Sequence, residues 1–319
     1  LGTEMVVDLQ RSDYFLLYRL LPYKIDWNFT FYHIAYQQPY WYPEPKLYQN
    51  LGSSIIGSNP ISRFARIDGG LDFNHIIKSD ISTIYDEYNL PYDEEISHIS
   101  SFTTFIPSIK YTWDNALWSY THPVEGFRYF LKYRTSPGIN EKSLTFYSAT
   151  MDGRKYFRLF NGVSFASRFF AGTNWGSDSQ KFRLGGVPWL FSSNRERFHG
   201  GENQDLSLEE LYFSEYIMPL RGSQVSNKYG DNVLLVNIEL RLPFLIYYFP
   251  AIKYIGQING VIFTDFGVAW DTDYPAFWDE SSWEALDQNG NAIYTGWLMS
   301  YGFGPRFIFL GMPWQLDYA

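Results

Sequence analysis

The chain has 319 residues, of which 20% are aromatic and only 18% are charged, below the roughly 25% charged residues of an average soluble domain. The net charge of −9 argues against nucleic acid as a partner, because phosphate contacts need clustered Lys and Arg. The absence of cysteine excludes disulfides and thiolate metal sites. No window approaches the ~18 uninterrupted apolar residues of a membrane helix. The chain begins and stops inside its pattern, so we expect a piece of a longer precursor.

Alternation of apolar and polar residues with a period of two dominates the sequence and predicts strands. Clear examples in chain order are "IDWNFTFYH" (25–33), "GFRYFLKYR" (126–134) and "VLLVNIELRLPF" (233–244). The predicted strands lie near residues 3–10, 13–20, 23–36, 47–57, 62–77, 101–114, 125–136, 142–151, 154–175, 232–246, 256–270, 294–309 and 312–319.

The connections between these strands differ sharply in length. Short turns are predicted at 20–23, 136–140 and "MDGR" (151–154), and the three long polar segments are 78–100, 176–231 and 271–293. Short turns at one end and long loops at the other are typical of outer-membrane barrels. A soluble β-sandwich would also alternate, but its strands would be shorter than these, which are long enough to cross a bilayer at a tilt.

The sequence therefore predicts an all-β fold: one antiparallel transmembrane β-barrel domain over residues 1–319, with about 13 strands in this chain, in the outer membrane of a bacterium. In lipid, closure pairs each backbone N–H and C=O with a neighbouring strand. In the strand at 233–244, Leu234, Ile238 and Leu240 should face lipid. Asn237, Glu239 and Arg241, of opposite parity, should face the lumen.

Five segments resemble the barrel of the bacterial surface antigen, or Omp85, superfamily of outer-membrane assembly and translocation proteins. "DNALWSYTHPVEGFRYFLKY" (114–133) is similar to a family hairpin. Phe182, Leu184, Gly185 and Gly186 resemble the motif that opens the family's sixth extracellular loop. "PLRGSQ" (219–224) resembles the tip of that loop, and "NIELRLPF" (237–244) and "FTDFGVAW" (263–270) resemble the next two strands. Spacing and order fit over essentially the whole chain.

The chain departs from the family pattern at the loop tip. In the family the tip reads Val or Ile, Arg, Gly, then an aromatic residue, whereas here Leu220, Arg221 and Gly222 are followed by Ser223. The loop is also longer than usual. The resemblance implies a barrel of 16 strands, of which this chain would hold the third to the fifteenth. The stretch 185–190 and the strands in 12–36 are similar to a subgroup whose barrel follows a periplasmic β-propeller.

The resemblance implies that residues 187–231 fold inward and that the loop tip is fixed inside the barrel. By parity, Asp265 and Gly267 share the face opposite Phe266 and should point into the lumen. Arg221 could then meet Asp265 in a bidentate, charge-assisted bond, with Gly222 allowing the tight turn. The simpler alternative is an Arg-Gly turn exposed to solvent.

Motifs of catalysis and metal binding are not evident. The five histidines are scattered, and His122 near Asp114 is the one candidate catalytic pair. Acidic residues in 92–96 and 271–280 could bind Ca²⁺, although solvated loop charge is the simpler interpretation. We therefore expect no enzymatic activity, no cofactor and no resident metal.

The family resemblance implies a function in inserting other polypeptides into the outer membrane or moving them across it. The implied partners are membrane lipids, unfolded outer-membrane or secreted polypeptides, and periplasmic or lipoprotein subunits. The alternative is a passive outer-membrane channel or a structural barrel subunit of a larger surface complex.

Overall fold

The computed structural model describes residues 2–4, 11–21, 23–37, 46–85, 91–119, 122–139, 143–160, 162–186, 213–223, 227–243, 259–272, 285–286, 292–293, 296–309 and 312–319. Strands dominate these ranges. Their bounds are β1 Gly2–Glu4, β2 Asp13–Leu20, β3 Asp26–Gln37, β4 Lys46–Pro60, β5 Ala65–Tyr85, β6 Pro91–Asp114, β7 Leu117–Trp118, β8 Pro123–Ser136, β9 Phe146–Phe160, β10 Val163–Trp175, β11 Phe182–Leu184, β12 Glu215–Ile217, β13 Lys228–Gly230, β14 Asn232–Pro243, β15 Asn259–Trp270, β16 Ala285–Leu286, β17 Ala292–Ile293, β18 Leu298–Phe309 and β19 Met312–Gln315.

Thirteen strands form one large sheet in the order β1-β2-β3-β4-β5-β6-β8-β9-β10-β14-β15-β18-β19, with β7 attached to β8. Nearly every strand therefore pairs with the next long strand in the chain. The long segment between β10 and β14 contributes a separate three-stranded sheet, in the order β12-β11-β13. The all-β, antiparallel fold with about thirteen strands is confirmed.

The chain divides into two compact units. One comprises residues 1–111, 133–147 and 176–178, and the other comprises 112–132, 148–175 and 179–319. The second unit contains β14 and β15, which pair antiparallel along their full lengths with Asn237 opposite Asp265. Strand β10 pairs with β14 on its other side. That the chain is a single barrel domain stays a prediction.

Two predicted connections are wrong. Residues 78–100 are mostly strand, since β5 runs to Tyr85 and β6 begins at Pro91. Polar side chains at 78–80 do not end β5, because β4 and β5 stay paired as far as Lys46 opposite Asp80. "MDGR" (151–154) is not a turn but lies within β9. Asp152 is 97% buried and binds two arginines. Its side chain therefore packs against one face of the sheet instead of lying in an exposed turn. The turn between β9 and β10 is instead at Gly162, which has a φ of 81°.

Among the described residues, no helix is long and apolar enough to cross a membrane.

Candidate functional site

Arg221, at the tip of the loop between β10 and β14, contacts Asp265 in the middle of β15. The Arg221 Nε and Nη2 atoms donate to the two carboxylate oxygens, each at 2.7 Å, and the Arg221 backbone N–H donates to Oδ2 at 3.0 Å. Arg221 is 5% exposed and Asp265 is fully buried. This geometry is the bidentate arrangement in which a guanidinium binds a carboxylate most strongly.

Glu239 on β14 and Phe263 on β15 complete the surroundings of the guanidinium. Arg221 Nη1 donates to Glu239 Oε1 at 2.6 Å, and the guanidinium carbon lies 3.7 Å from the centre of the Phe263 ring, in the range of a cation–π contact. Burial disfavours the charged form, but the bonds to Asp265 and the charge of Glu239 outweigh it and raise the pKa of Arg221. Arg221 is therefore a fixed cation at this site.

The polar residues of β14 share this face of the sheet. Asn237 Nδ2 donates both to Asp265 Oδ1 at 2.8 Å and to the Pro219 carbonyl at 2.9 Å. Arg241 donates twice to Glu239 Oε2. We call the face of β9, β10, β14 and β15 that carries these side chains the inner face, and the opposite face the outer face. Ile238, of opposite parity, is 37% exposed on the outer face.

Apolar packing holds the loop tip beside this network. Leu220 is 1% exposed, and its backbone N–H donates to the Gly185 carbonyl at 2.9 Å. The buried cluster comprises Phe170, Phe182, Leu184, Ile217, Leu220, Val233, Leu235 and Ala269. The loop-opening motif thus supplies two core residues, Phe182 and Leu184, and one backbone acceptor, Gly185.

Three glycines permit close approach of the tip. A Cβ atom at Gly186 would lie 2.2 Å from the Ser223 carbonyl oxygen, and one at Gly267 would lie 2.7 Å from Leu184 Cδ2 and 3.1 Å from Leu220 Cδ1. Gly222 has a φ of 74°, in the left-handed region that favours glycine. The structure therefore brings together the predicted residues of the tip, the opening motif and both strands.

The sequence analysis missed a second charged cluster on the inner face. Asp152 accepts hydrogen bonds from Arg154 and Arg168, and Arg168 Nη1 also donates to the Met218 carbonyl at 2.6 Å. A cavity of 130 Å³ lies between this cluster and the tip, with Pro219 and Glu239 in its lining. The alternation of β9 and β10 indicates these inward charges, but the Asp-Gly pair at 152–153 predicts a turn at the same place.

The sequence analysis also missed the contacts at the root of the loop. Lys181 Nζ, just before β11, donates to Asp231 Oδ1 at 3.0 Å and to Asp271 Oδ1 at 2.8 Å. Asp231 lies at the exit of the loop, and Asp271 directly follows β15. The Lys228 ammonium donates to the Gly296 carbonyl, and burial lowers the pKa of Lys228 to about 8. The two lysines thus connect the root of this loop to both ends of the segment between β15 and β18.

The candidate catalytic pair is not assembled. Asp114 accepts from the Ala116 backbone N–H at 3.1 Å and lies 3.5 Å from Arg128. His122 lies instead 3.5 Å from Ser164 Oγ, and burial, with the nearby Arg241, lowers the pKa of His122 to about 4.

The acidic segments show no metal-binding arrangement in the part of the chain that the structure describes, where no group of three His, Cys, Asp or Glu is placed to hold an ion. Residues 91–96 lie in β6, where Glu94 pairs with Arg11. Residues 273–280 lie outside the described residues.

Comparison with known proteins gives a match in structure only. No family model and no curated protein matches the sequence. In structure, the chain is similar to BamA from Haemophilus ducreyi, crystallised without its POTRA domains 1–3, with a TM-score of 0.60 and 14% sequence identity. The match covers 96% of this chain and 58% of the BamA chain. At this identity the likeness establishes the fold alone, which is that of an antiparallel β-barrel.

Proposed function

We propose that this protein is an integral β-barrel of the bacterial outer membrane that helps other polypeptides insert into that membrane or cross it. The observation that carries the proposal is the fixed loop tip: Arg221 bonded to Asp265 and Glu239. These residues occupy the positions at which the sequence resembles the Omp85 superfamily. The similarity in fold to BamA supports the same function.

The inner face is then the wall of the lumen and the outer face is the surface toward lipid. The lock consists of Leu220, Arg221, Gly222, Asp265 and Gly267, with Asn237, Glu239 and Arg241 as its polar surroundings. The ion pairs of this site fix the position of the loop and present no group for a chemical reaction. The proposed function is therefore non-enzymatic and needs no cofactor. The free energy for insertion comes from the client polypeptide, through strand pairing and apolar burial.

A passive channel is the competing function, and the buried apolar cluster weighs against it. Eight residues of the loop and strands pack together on the inner face. Apolar side chains that fill the lumen would obstruct the passage of water-soluble solutes. A wide aqueous lumen lined by polar groups is the arrangement of porins.

The test is folding of a client barrel in liposomes. The protein is reconstituted into phospholipid vesicles, an unfolded outer-membrane barrel is added, and its folding is followed by heat-modifiable gel migration. We expect faster client folding than in empty vesicles or in vesicles with an unrelated porin. Equal rates in all three, together with stepwise ion conductance by this protein, would favour the channel.

A further inference from the structure

Lys155 lies on the outer face of β9, among residues of the opposite character. Along this strand, Met151, Phe157 and Leu159 are 38%, 46% and 53% exposed, whereas Asp152 and Tyr156 on the inner face are 3% and 7% exposed. The parity of Lys155 is that of the exposed apolar residues. A lysine on this face therefore stands on the surface that the proposed function assigns to lipid.

Two aromatic rings flank the Lys155 ammonium. Its Nζ atom lies 5.9 Å from the centre of the Phe127 ring and 5.3 Å from that of Phe157. No carboxylate among the described residues forms an ion pair with it, in contrast to the adjacent Arg154, which binds Asp152 on the inner face. The rings hold the cation in place but do not neutralise it.

A cation on the lipid face of a barrel is destabilising at the bilayer midplane and costs little near the interface, so the depth of Lys155 decides how well the membrane tolerates it. Phe160, where β9 ends, lies five positions after Lys155, which corresponds to about 13 Å of depth for a strand of about 3.3 Å per residue tilted by about 40°. A lysine stem can snorkel from such a depth toward the headgroups. The nearer end carries the short turn at Gly162, and short turns lie on the periplasmic side of outer-membrane barrels.

Two residues before Lys155, on the side away from that turn, the outer face of β9 has no side chain. Gly153 has no side chain, and a Cβ atom placed there would meet only the Phe169 carbonyl oxygen, at 4.0 Å. Phe169, whose backbone borders this gap, is 40% exposed. The outer face of β9 thus carries the Lys155 ammonium between two aromatic rings. Deeper in the membrane it has a shallow apolar recess over Gly153.

We propose that Lys155, with Phe127 and Phe157, binds the phosphate of a phospholipid in the periplasmic leaflet, and that one acyl chain of this lipid lies in the recess over Gly153. The proposal rests on the membrane location in the proposed function. The order of the groups matches the lipid: the charge is nearer the turn, and the gap faces the hydrocarbon. Phosphate neutralises the ammonium, and the acyl chain covers apolar surface.

Native mass spectrometry of the protein in detergent, titrated with phosphatidylglycerol, tests the site. Loss of one cation near a membrane surface corresponds to about fivefold weaker binding, so Lys155→Gln should weaken the first lipid-binding step by about that factor while Lys155→Arg retains it. Gly153→Leu, whose Cβ atom would meet the Phe169 carbonyl oxygen at an ordinary contact distance of 4.0 Å, fills the recess and should also weaken binding. Lys24→Gln, at an exposed lysine outside the strands, is the matched control and should have no effect.

Two further arms identify the ligand. Diacylglycerol, which lacks phosphate, should bind no better to the protein than to Lys155→Gln, and inorganic phosphate should not displace phosphatidylglycerol. Equal lipid binding by the protein and by Lys155→Gln would overturn the proposal. Heat-modifiable migration of each variant reports folding separately: a chain that folds in vesicles but shows no Lys155 dependence refutes the lipid site alone, whereas one that never folds in vesicles refutes the membrane barrel itself.

Discussion

At the scale of single residues, Arg221 is the best-connected group of the loop tip. Asp265, Glu239 and Phe263 surround the Arg221 guanidinium, and Asp265 is fully buried. Removing one member of such a buried pair is more harmful than the pair is stabilising, because the other member is left as an uncompensated charge. The tip should therefore be sensitive to the shape of the cation as well as to its charge.

Replacement of Arg221 separates shape from charge. Arg221→Ala should lower the free energy of unfolding by at most about 3–5 kcal/mol, and by less if water from the neighbouring cavity reaches Asp265. Arg221→Lys keeps the charge but loses the planar guanidinium. Its free energy of unfolding should therefore lie between those of the parent protein and Arg221→Ala. The measurement is denaturant unfolding in micelles, followed by tryptophan fluorescence. A lysine variant as stable as the parent protein would show that the bidentate geometry is unimportant.

Two glycine substitutions should differ because of what each new methyl group meets. Gly186→Ala would place its Cβ 2.2 Å from the Ser223 carbonyl oxygen, so the backbone of the tip must move. Gly267→Ala meets only the ends of the Leu184 and Leu220 side chains, which can rotate. We expect Gly186→Ala to speed proteolysis within the loop and Gly267→Ala to have a smaller effect. The reverse order would contradict the placement of the tip.

At the scale of elements, the segment between β10 and β14 is fixed at two places. The tip binds β14 and β15, and the root is joined by Lys181 to Asp231 and Asp271. The short strands β11, β12 and β13 form the small sheet of this segment, and β11 and β12 contribute residues to the buried apolar cluster. Since the two points share no residue, the loss of one should leave the other formed.

Lys181→Met should loosen the root without releasing the tip. The lysine is about one-quarter exposed and its acidic partners are partly exposed, so the loss in stability should be small, on the order of 1 kcal/mol. Hydrogen exchange should rise at Lys228–Gly230 and stay low at Leu220 and Arg221. Lys24→Met is the control for charge. Equal deprotection at root and tip would mean that the loop opens as one unit.

The alternation in β15 predicts opposite environments for adjacent residues. Ile262 is 53% exposed and Val261 only 4%, and the chain has no cysteine of its own, so single-cysteine variants can be spin-labelled cleanly. In vesicles, a label at 262 should be relaxed by oxygen, which concentrates in lipid, and a label at 261 should not. Oxygen accessibility at 261 and protection at 262 would mean a one-residue shift that exchanges the two faces.

Much of this arrangement could be predicted from the sequence because parity alone decides the face of a strand residue. Parity predicts that Asp265 and Glu239 lie on the inner side, and the loop motif predicts Arg221 as a partner for Asp265. The bond of Arg221 to Glu239 and its ring contact with Phe263 depend on cross-strand register, which alternation does not fix. Asp152 was missed because an Asp-Gly pair is a strong turn signal that strand pairing overrode.

The contacts of Lys181 could not have been predicted by any local rule. Its partners Asp231 and Asp271 are 50 and 90 residues away in the sequence, and charged residues near loop ends are usually solvated. Their proximity follows from the order of β10, β14 and β15 in the sheet. Sequence patterns predict the strands, whereas the ends of loops meet only once that order is known.

At the scale of the whole molecule, the sheet and the loop tip have different roles. Thirteen paired strands supply a scaffold whose backbone hydrogen bonds do not depend on any one side chain. The lock adds a specific arrangement on its inner face. Damage to the lock should therefore leave the sheet folded and impair what the loop does.

The most direct test of this claim is a double-mutant cycle of Arg221→Gln and Asp265→Asn, read by client folding in vesicles, with heat-modifiable migration as the measure of the barrel's own folding. We expect every variant to fold and each single variant to slow client folding. The double variant should be no slower than the worse single one, because residues that form one network are not additive, with coupling of about 0.5–3 kcal/mol. Strictly additive losses, or full activity of Arg221→Gln, would contradict a functional lock between these two residues.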